Sequence, residues 1–153
     1  MVTPVKHAYE RIPYLVAYQN DSKVRDVYGG VAELVVLESY LLKPNTPSDT
    51  VLVFMHPIGG GAYLPMINAL ARAGHHVIYC NSRFRGTDSA LLMEKVVQDL
   101  GAAIKDAKDR LGYAKVVLAG WSGGGSLSMF YQQQAQHPTV TASPSGDGPD
   151  LTT

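Results

Sequence analysis

Hydrophobic positions in this chain fall into short apolar runs separated by stretches in which they recur every three or four residues. Buried parallel strands alternating with crossover helices produce that pattern. The run Thr50-Val51-Leu52-Val53-Phe54-Met55-His56 is nearly continuous, as expected of a strand covered on both faces, and it stops at Pro57 and three glycines. Pro65 suits a first helical turn, Met66, Ile67, Leu70 and Ala71 follow at helical spacing, and Gly74 stands where a left-handed cap belongs. His76 to Cys80 predicts a second buried strand, with Asn81 to Asp88 as the loop after it. A longer helix is predicted from the stripe Met93, Val96, Val97, Leu100, Ala103, Ile104, Ala107 and Leu111, with Asp88 or Ser89 as N-cap and Gly112 as C-cap. Ala114 to Ala119 reads as a third buried strand and Ser126 to Gln136 as the helix after it. Upstream, Val31 to Leu42 is rich in Val, Leu and Tyr with charges interspersed, which predicts one or two strands entering the sheet antiparallel before the turn at Lys43 to Pro47.

This order predicts an α/β protein with a doubly wound, mostly parallel sheet and right-handed crossovers, occupying residues 1–137. Residues 138–153 hold three Pro, two Gly and six Ser or Thr, and read as an irregular tail or linker. No internal repeat is present. The 153 residues suffice for one domain with a sizeable core, and 46% hydrophobic against 17% charged residues is an ordinary globular balance.

Charge narrows the candidate partners. Thirteen Lys and Arg against thirteen Asp and Glu give zero formal net charge, which argues against a nucleic acid or an anionic membrane surface and favours a small neutral ligand. The single Cys80 excludes an internal disulfide and suits a reducing compartment. The first residues carry no apolar signal core, and no stretch is long enough to span a membrane. A cytoplasmic location is the resulting expectation.

The candidate chemistry begins where the third strand meets its helix, at Gly120-Trp121-Ser122-Gly123-Gly124. In G-x-S-x-G a serine sits on a bend so sharp that its hydroxyl projects from the top of a sheet, and small neighbours avoid clashes there. The competing reading is a tight turn whose serine caps the helix. A second motif, His56-Pro57-Ile58-Gly59-Gly60-Gly61, lies at the carboxyl end of the first parallel strand, the end at which open α/β sheets bind ligands. A phosphate-binding role fits neither loop. The G-x-G-x-x-G frame meets Leu64 when started at Gly59 and Ser128 when started at Gly123, and there is no Gly-Lys-Ser/Thr.

Over roughly Val31 to Gln136 these features resemble the α/β-hydrolase family: a His-Gly-like loop, a strand loop with Arg85-Gly86 and Asp88-Ser89, then the nucleophile elbow. The resemblance implies a serine hydrolase in which Ser122 attacks an acyl carbonyl. It implies an oxyanion hole made by the Gly123 N–H and an N–H from the loop after His56. Pro57 stands where the family usually has glycine and has no N–H. The second donor is therefore Ile58 by position, or Gly59 if the loop is shifted. In the family the residue at His56 shapes this loop and does not take the serine's proton. His7, His75, His76 and His137 read as surface or structural residues, and no metal-ligand spacing occurs, so neither metal nor organic cofactor is expected. Trp121, Tyr63 and Arg85 are candidate substrate contacts, with packing and loop bracing as their alternatives.

A serine needs a base and a group that orients the base. In the family these follow in the order serine, acid, histidine. After Ser122 come only His137, Asp147 and Asp150, and His137 lies at the far end of the helix that Ser122 begins. The resemblance implies further strands that carry the acid and histidine. The expectation is therefore an N-terminal subunit of a hydrolase split into two polypeptides, by proteolysis near Thr153 or by separate synthesis, with a carboxylic ester as substrate. Amidase, lactonase, thioesterase and acyltransferase activities share the elbow, and a non-catalytic scaffold is the alternative of another class.

Overall fold

The computed structural model describes residues 4–20, 33–89 and 91–139. Five strands form one sheet in the order β1-β2-β4-β3-β5. They are β1 (Tyr9–Asn20), β2 (Glu33–Pro44), β3 (Thr50–Phe54), β4 (His76–Cys80) and β5 (Lys115–Ala119), with helices α1 (Pro65–Arg72), α2 (Met93–Asp109) and α3 (Gly123–Gln136). Strands β3, β4 and β5 run parallel to one another, whereas β1 pairs antiparallel with β2 and β2 with β4. The sheet is thus mixed and not mostly parallel. Its antiparallel half consists of two 12-residue strands, against five residues in each parallel one.

The chain leaves β3, passes through α1 to β4 on one side, then returns through α2 to β5 on the other. Such a reversal opens a crevice at the carboxyl ends of the two diverging strands. Helices cover both faces, so the doubly wound reading holds. On one face α2, through Val96, Val97, Leu100, Ala103 and Ala107, and α3, through Leu127, pack with Leu37, Val53 and Ile78. On the other, Ile67 and Ala71 of α1 pack with Leu42, Phe54, Val77 and Tyr79. The middle strand β4 is buried at every position, which is why its five residues read as an uninterrupted apolar run.

Several local expectations change. Strand β1 was not foreseen, and the Val31 to Leu42 segment yields the single strand β2, residues 31 and 32 lying outside the described residues. Strand β5 is only partly covered, with Val117 37% exposed, because it ends the sheet among the described residues. Helix α2 starts after Leu92 without a side-chain cap, since the chain at Asp88 is still turning, its carbonyl accepting the Leu91 N–H at 3.2 Å. Helix α3 begins at Gly123, directly after the serine, and not at Ser126. Gly74 and Gly112 do take the left-handed conformation just past α1 and α2 (φ +95° and +80°). Of the expected tail, residues 140–153 lie outside the described residues.

Candidate active site

The two loops singled out by sequence meet at the crevice between β3 and β5. Ser122 is the N-cap of α3 with φ 51° and ψ −132°, and it is the only non-glycine residue with positive φ among the described residues. A side chain held there stores on the order of 1–3 kcal/mol of strain, which the surroundings must maintain. The glycines show how. A Cβ on Gly120 would lie on the Gly124 carbonyl group and 2.7 Å from the Gly125 nitrogen, and one on Gly124 would strike the Met55 carbonyl oxygen. The strand end and the helix start can cross this closely only without side chains. The turn is closed by the Gly124 N–H donating to the Trp121 carbonyl (2.9 Å) and the Gly125 N–H to the Ser122 carbonyl (3.0 Å). Ser122 is exposed and makes no side-chain capping bond, so its hydroxyl is not spent as a helix cap. The Gly123 N–H, as first residue of the helix, has no intrahelical acceptor.

The glycine loop stands beside the elbow. His56 stacks on Trp121 with ring centroids 5.4 Å apart, and its Nε2 lies 3.5 Å from where a Gly123 Cβ would be. Its Nδ1 accepts the N–H groups of Ile58 (3.3 Å) and Gly59 (3.1 Å), so His56 does shape this loop. A nitrogen that accepts two N–H groups carries no proton, which leaves Nε2 to carry the ring's N–H. Trp121 also lies 6.0 Å from Tyr79, and a Cβ on Gly61 would meet Trp121 Cη2 at 2.5 Å and Tyr79 Cε2 at 2.6 Å. The indole therefore packs beneath the loop.

Other candidates separate. Arg85 is exposed and ion-paired with Glu38, with its Nε 3.5 Å from a Gly60 Cβ position, so it braces the rim of the loop while remaining at its edge. Tyr63 is 71% exposed. Its ring is engaged by the Arg11 guanidinium at 4.2 Å and by Tyr40 at 6.2 Å. Arg83 turns inward to the fully buried Asp99, which accepts from both its guanidinium (2.8 Å) and its backbone N–H (2.9 Å). His76 is buried at the opposite end of the sheet, between the Tyr113 hydroxyl and the Thr46 carbonyl, both at 2.7 Å. His7 contacts the Thr46 hydroxyl at 3.0 Å, and His75 and His137 are exposed. Burial pushes the Cys80 thiol up to about 12, which keeps it protonated and unreactive. Among the described residues no cluster of three or more His, Cys, Asp or Glu is placed to hold a metal ion, and no helix is long and apolar enough to cross a membrane.

Three residues that hold the glycine loop or its neighbour Arg85 carry no sequence signal. Tyr79 Oη donates to the Gly59 carbonyl at 2.5 Å, Ser82 Oγ donates to the Pro57 carbonyl, and Glu38 arrives from β2. Tyr79 reads as one more apolar strand residue until its phenol is seen to need a partner.

The chain is an α/β protein with a strained, exposed serine on a strand-turn-helix at the switch point of a doubly wound sheet. The sequence model of the alpha/beta hydrolase fold matches residues 50–141, more than half of the chain, and the chain belongs to that family. Similar solved structures include the esterase Pf2001 of Pyrococcus furiosus, at 18% identity and TM-score 0.56 over 86% of this chain and 45% of that one. Esterase Est22 is similar at 16% identity and TM-score 0.53, over 82% of this chain and 40% of that one. The chain thus spans less than half the length of either. Among curated proteins, none matches it by sequence.

Proposed function

We propose that this chain is the nucleophile-bearing part of a serine hydrolase that cleaves carboxylic esters through an acyl-enzyme. The observation that carries the reading is Ser122 itself: a non-glycine residue held at positive φ, exposed, with its hydroxyl free of any capping role. Strain of this kind persists only where the surroundings enforce it, and an elbow is the arrangement that turns it to use.

Ser122 Oγ attacks the acyl carbon while a histidine takes its proton. The carbonyl oxygen becomes an oxyanion held by the Gly123 N–H and by the N–H of Ile58 or Gly59, which gives up its bond to His56 Nδ1 to reach it. Collapse expels the alcohol, which receives the proton from the histidinium, and water then repeats the sequence on the acyl-enzyme. Trp121 underlies the loop that holds the oxyanion, and Arg85 and Tyr63 are retained as candidate substrate contacts. No metal or organic cofactor enters these steps.

The base is assigned to a part of the fold outside the described residues. His137 ends a helix of 14 residues that Ser122 begins, roughly 20 Å along the axis. His76 is committed to Tyr113 and Thr46 at the other end of the sheet, and His56 Nδ1 is occupied by the loop. A second chain that pairs with the outer edge of β5 and carries the acid and the histidine completes the mechanism. The part-exposed β5 supports this reading. The test is fluorophosphonate labelling of the natively assembled protein with Ser122→Ala as control. A single adduct on Ser122 supports the reading, and a folded assembly that stays unlabelled favours a scaffold. Turnover on matched esters, amides and thioesters then checks the substrate class.

A further inference from the structure

We propose that Tyr79 and Ser82 are positioning residues of the oxyanion loop, clamping its carbonyls from behind so that the loop and the His56 ring it folds onto are held in one conformation beside the nucleophile. This rests on the serine hydrolase reading above. The loop contains Gly59, Gly60 and Gly61 in succession and, left alone, would sample many backbone conformations. Yet each carbonyl from Pro57 to Gly59 is held. The Pro57 oxygen accepts from Ser82 Oγ, the Ile58 oxygen from the Gly86 N–H at 2.8 Å, and the Gly59 oxygen from Tyr79 Oη at 2.5 Å. All three donors belong to β4 or to the loop that follows it.

A planar trans peptide points its N–H opposite to its carbonyl. Holding the Pro57 oxygen therefore aims the Ile58 N–H, and holding the Ile58 oxygen aims the Gly59 N–H. Both N–H groups do face the other way, onto His56 Nδ1, and His56 adjoins the elbow at Trp121 and Gly123. The third anchor fixes the next peptide and stops the loop from rotating as a unit. Each clamp is itself preset. The Ser82 oxygen accepts the Phe84 N–H at 3.2 Å, which turns its proton towards Pro57. Tyr79 is fully buried, and burial pushes its phenol up to about 12, so it remains a donor at any working pH. Ser82 is 4% exposed, too covered to meet substrate.

The variants Tyr79→Phe and Ser82→Ala, made in the natively assembled protein, test this. Turnover of p-nitrophenyl acetate is measured per site titrated by the fluorophosphonate, which counts folded sites only. Displacing a loop that borders the reacting carbonyl costs roughly tenfold to a hundredfold in rate. The expected result is a kcat loss of that size for each variant with KM within about twofold, and slower fluorophosphonate labelling in step. Tyr113→Phe, which deletes a buried hydrogen bond at the far end of the sheet, is expected to leave kcat unchanged. Wild-type kcat in both clamp variants, or a loss confined to KM, overturns the inference while leaving the hydrolase reading intact. An unlabelled wild-type Ser122 overturns the reading and the inference with it.

Discussion

Ser122, Gly120 and Gly124 form one device, because the serine's backbone is possible only where its neighbours let a strand end and a helix start touch. The device makes a sharp distinction between adjacent glycines. A Cβ on Gly124 would strike the Met55 carbonyl, whereas one on Gly125 finds its nearest neighbour, the Gly120 carbonyl, at 3.9 Å. Gly124→Ala is therefore expected to destabilise the protein by about 1–3 kcal/mol through forced backbone shifts. Gly125→Ala should be neutral or slightly stabilising, since it also removes a glycine from a helix. Urea unfolding of the two variants checks this, and equal effects would contradict it. Both glycines look alike in the sequence Gly123-Gly124-Gly125. Spacing from the serine is what told them apart, so the elbow was legible as a local motif. Tyr79, Ser82 and Glu38 were not, because strand pairing and a loop crossing bring them to the site from elsewhere in the chain.

At the scale of elements, the parallel strands and helices were readable because each carries its own period, and the misses have physical causes. Strand β1 alternates inward Ile12, Tyr14, Val16 and Tyr18 with outward neighbours. Pro13 breaks that pattern to the eye, yet it sits on the strand that ends the sheet among the described residues, where proline's missing N–H is tolerated. Strand β5 misled in the opposite sense, since an apolar run like that of β3 need not be covered on both faces when it ends the sheet. Loop placement depends on a buried tie that no pattern revealed. Asp99 of α2 accepts the Tyr18 hydroxyl of β1 at 2.6 Å together with the Arg83 backbone and guanidinium. It thereby anchors the loop whose Ser82 and Gly86 hold the glycine loop. Asp99→Ala removes the carboxylate facing a buried guanidinium and is expected to cost about 3–5 kcal/mol, measurable as a lowered urea midpoint. A change under 1 kcal/mol would mean the tie is dispensable.

For the whole molecule, the buried acids set a stability limit on the alkaline side. The Cys80 thiol and the Tyr79 phenol, ordinarily near 9.0 and 10.0, are each raised by burial to about 12 in the folded protein. Above about pH 9 the unfolded chain therefore loses protons that the folded one keeps, and stability falls as proton binding falls in the unfolded state. Their contribution is fully present below pH 9 and is lost as pH rises from about 9 to about 12. The urea midpoint should decline across that window, and a flat midpoint would show that neither group is shifted. The zero net charge and two-faced helical cover were legible in the sequence, whereas the length of the antiparallel half was not. The central claim, that the strained serine is a working nucleophile completed by a second polypeptide, is tested most directly by mass spectrometry of the native assembly after fluorophosphonate treatment. The account predicts one adduct on Ser122, none in Ser122→Ala, and a companion chain that carries the histidine. A folded assembly without an adduct on Ser122 would contradict it.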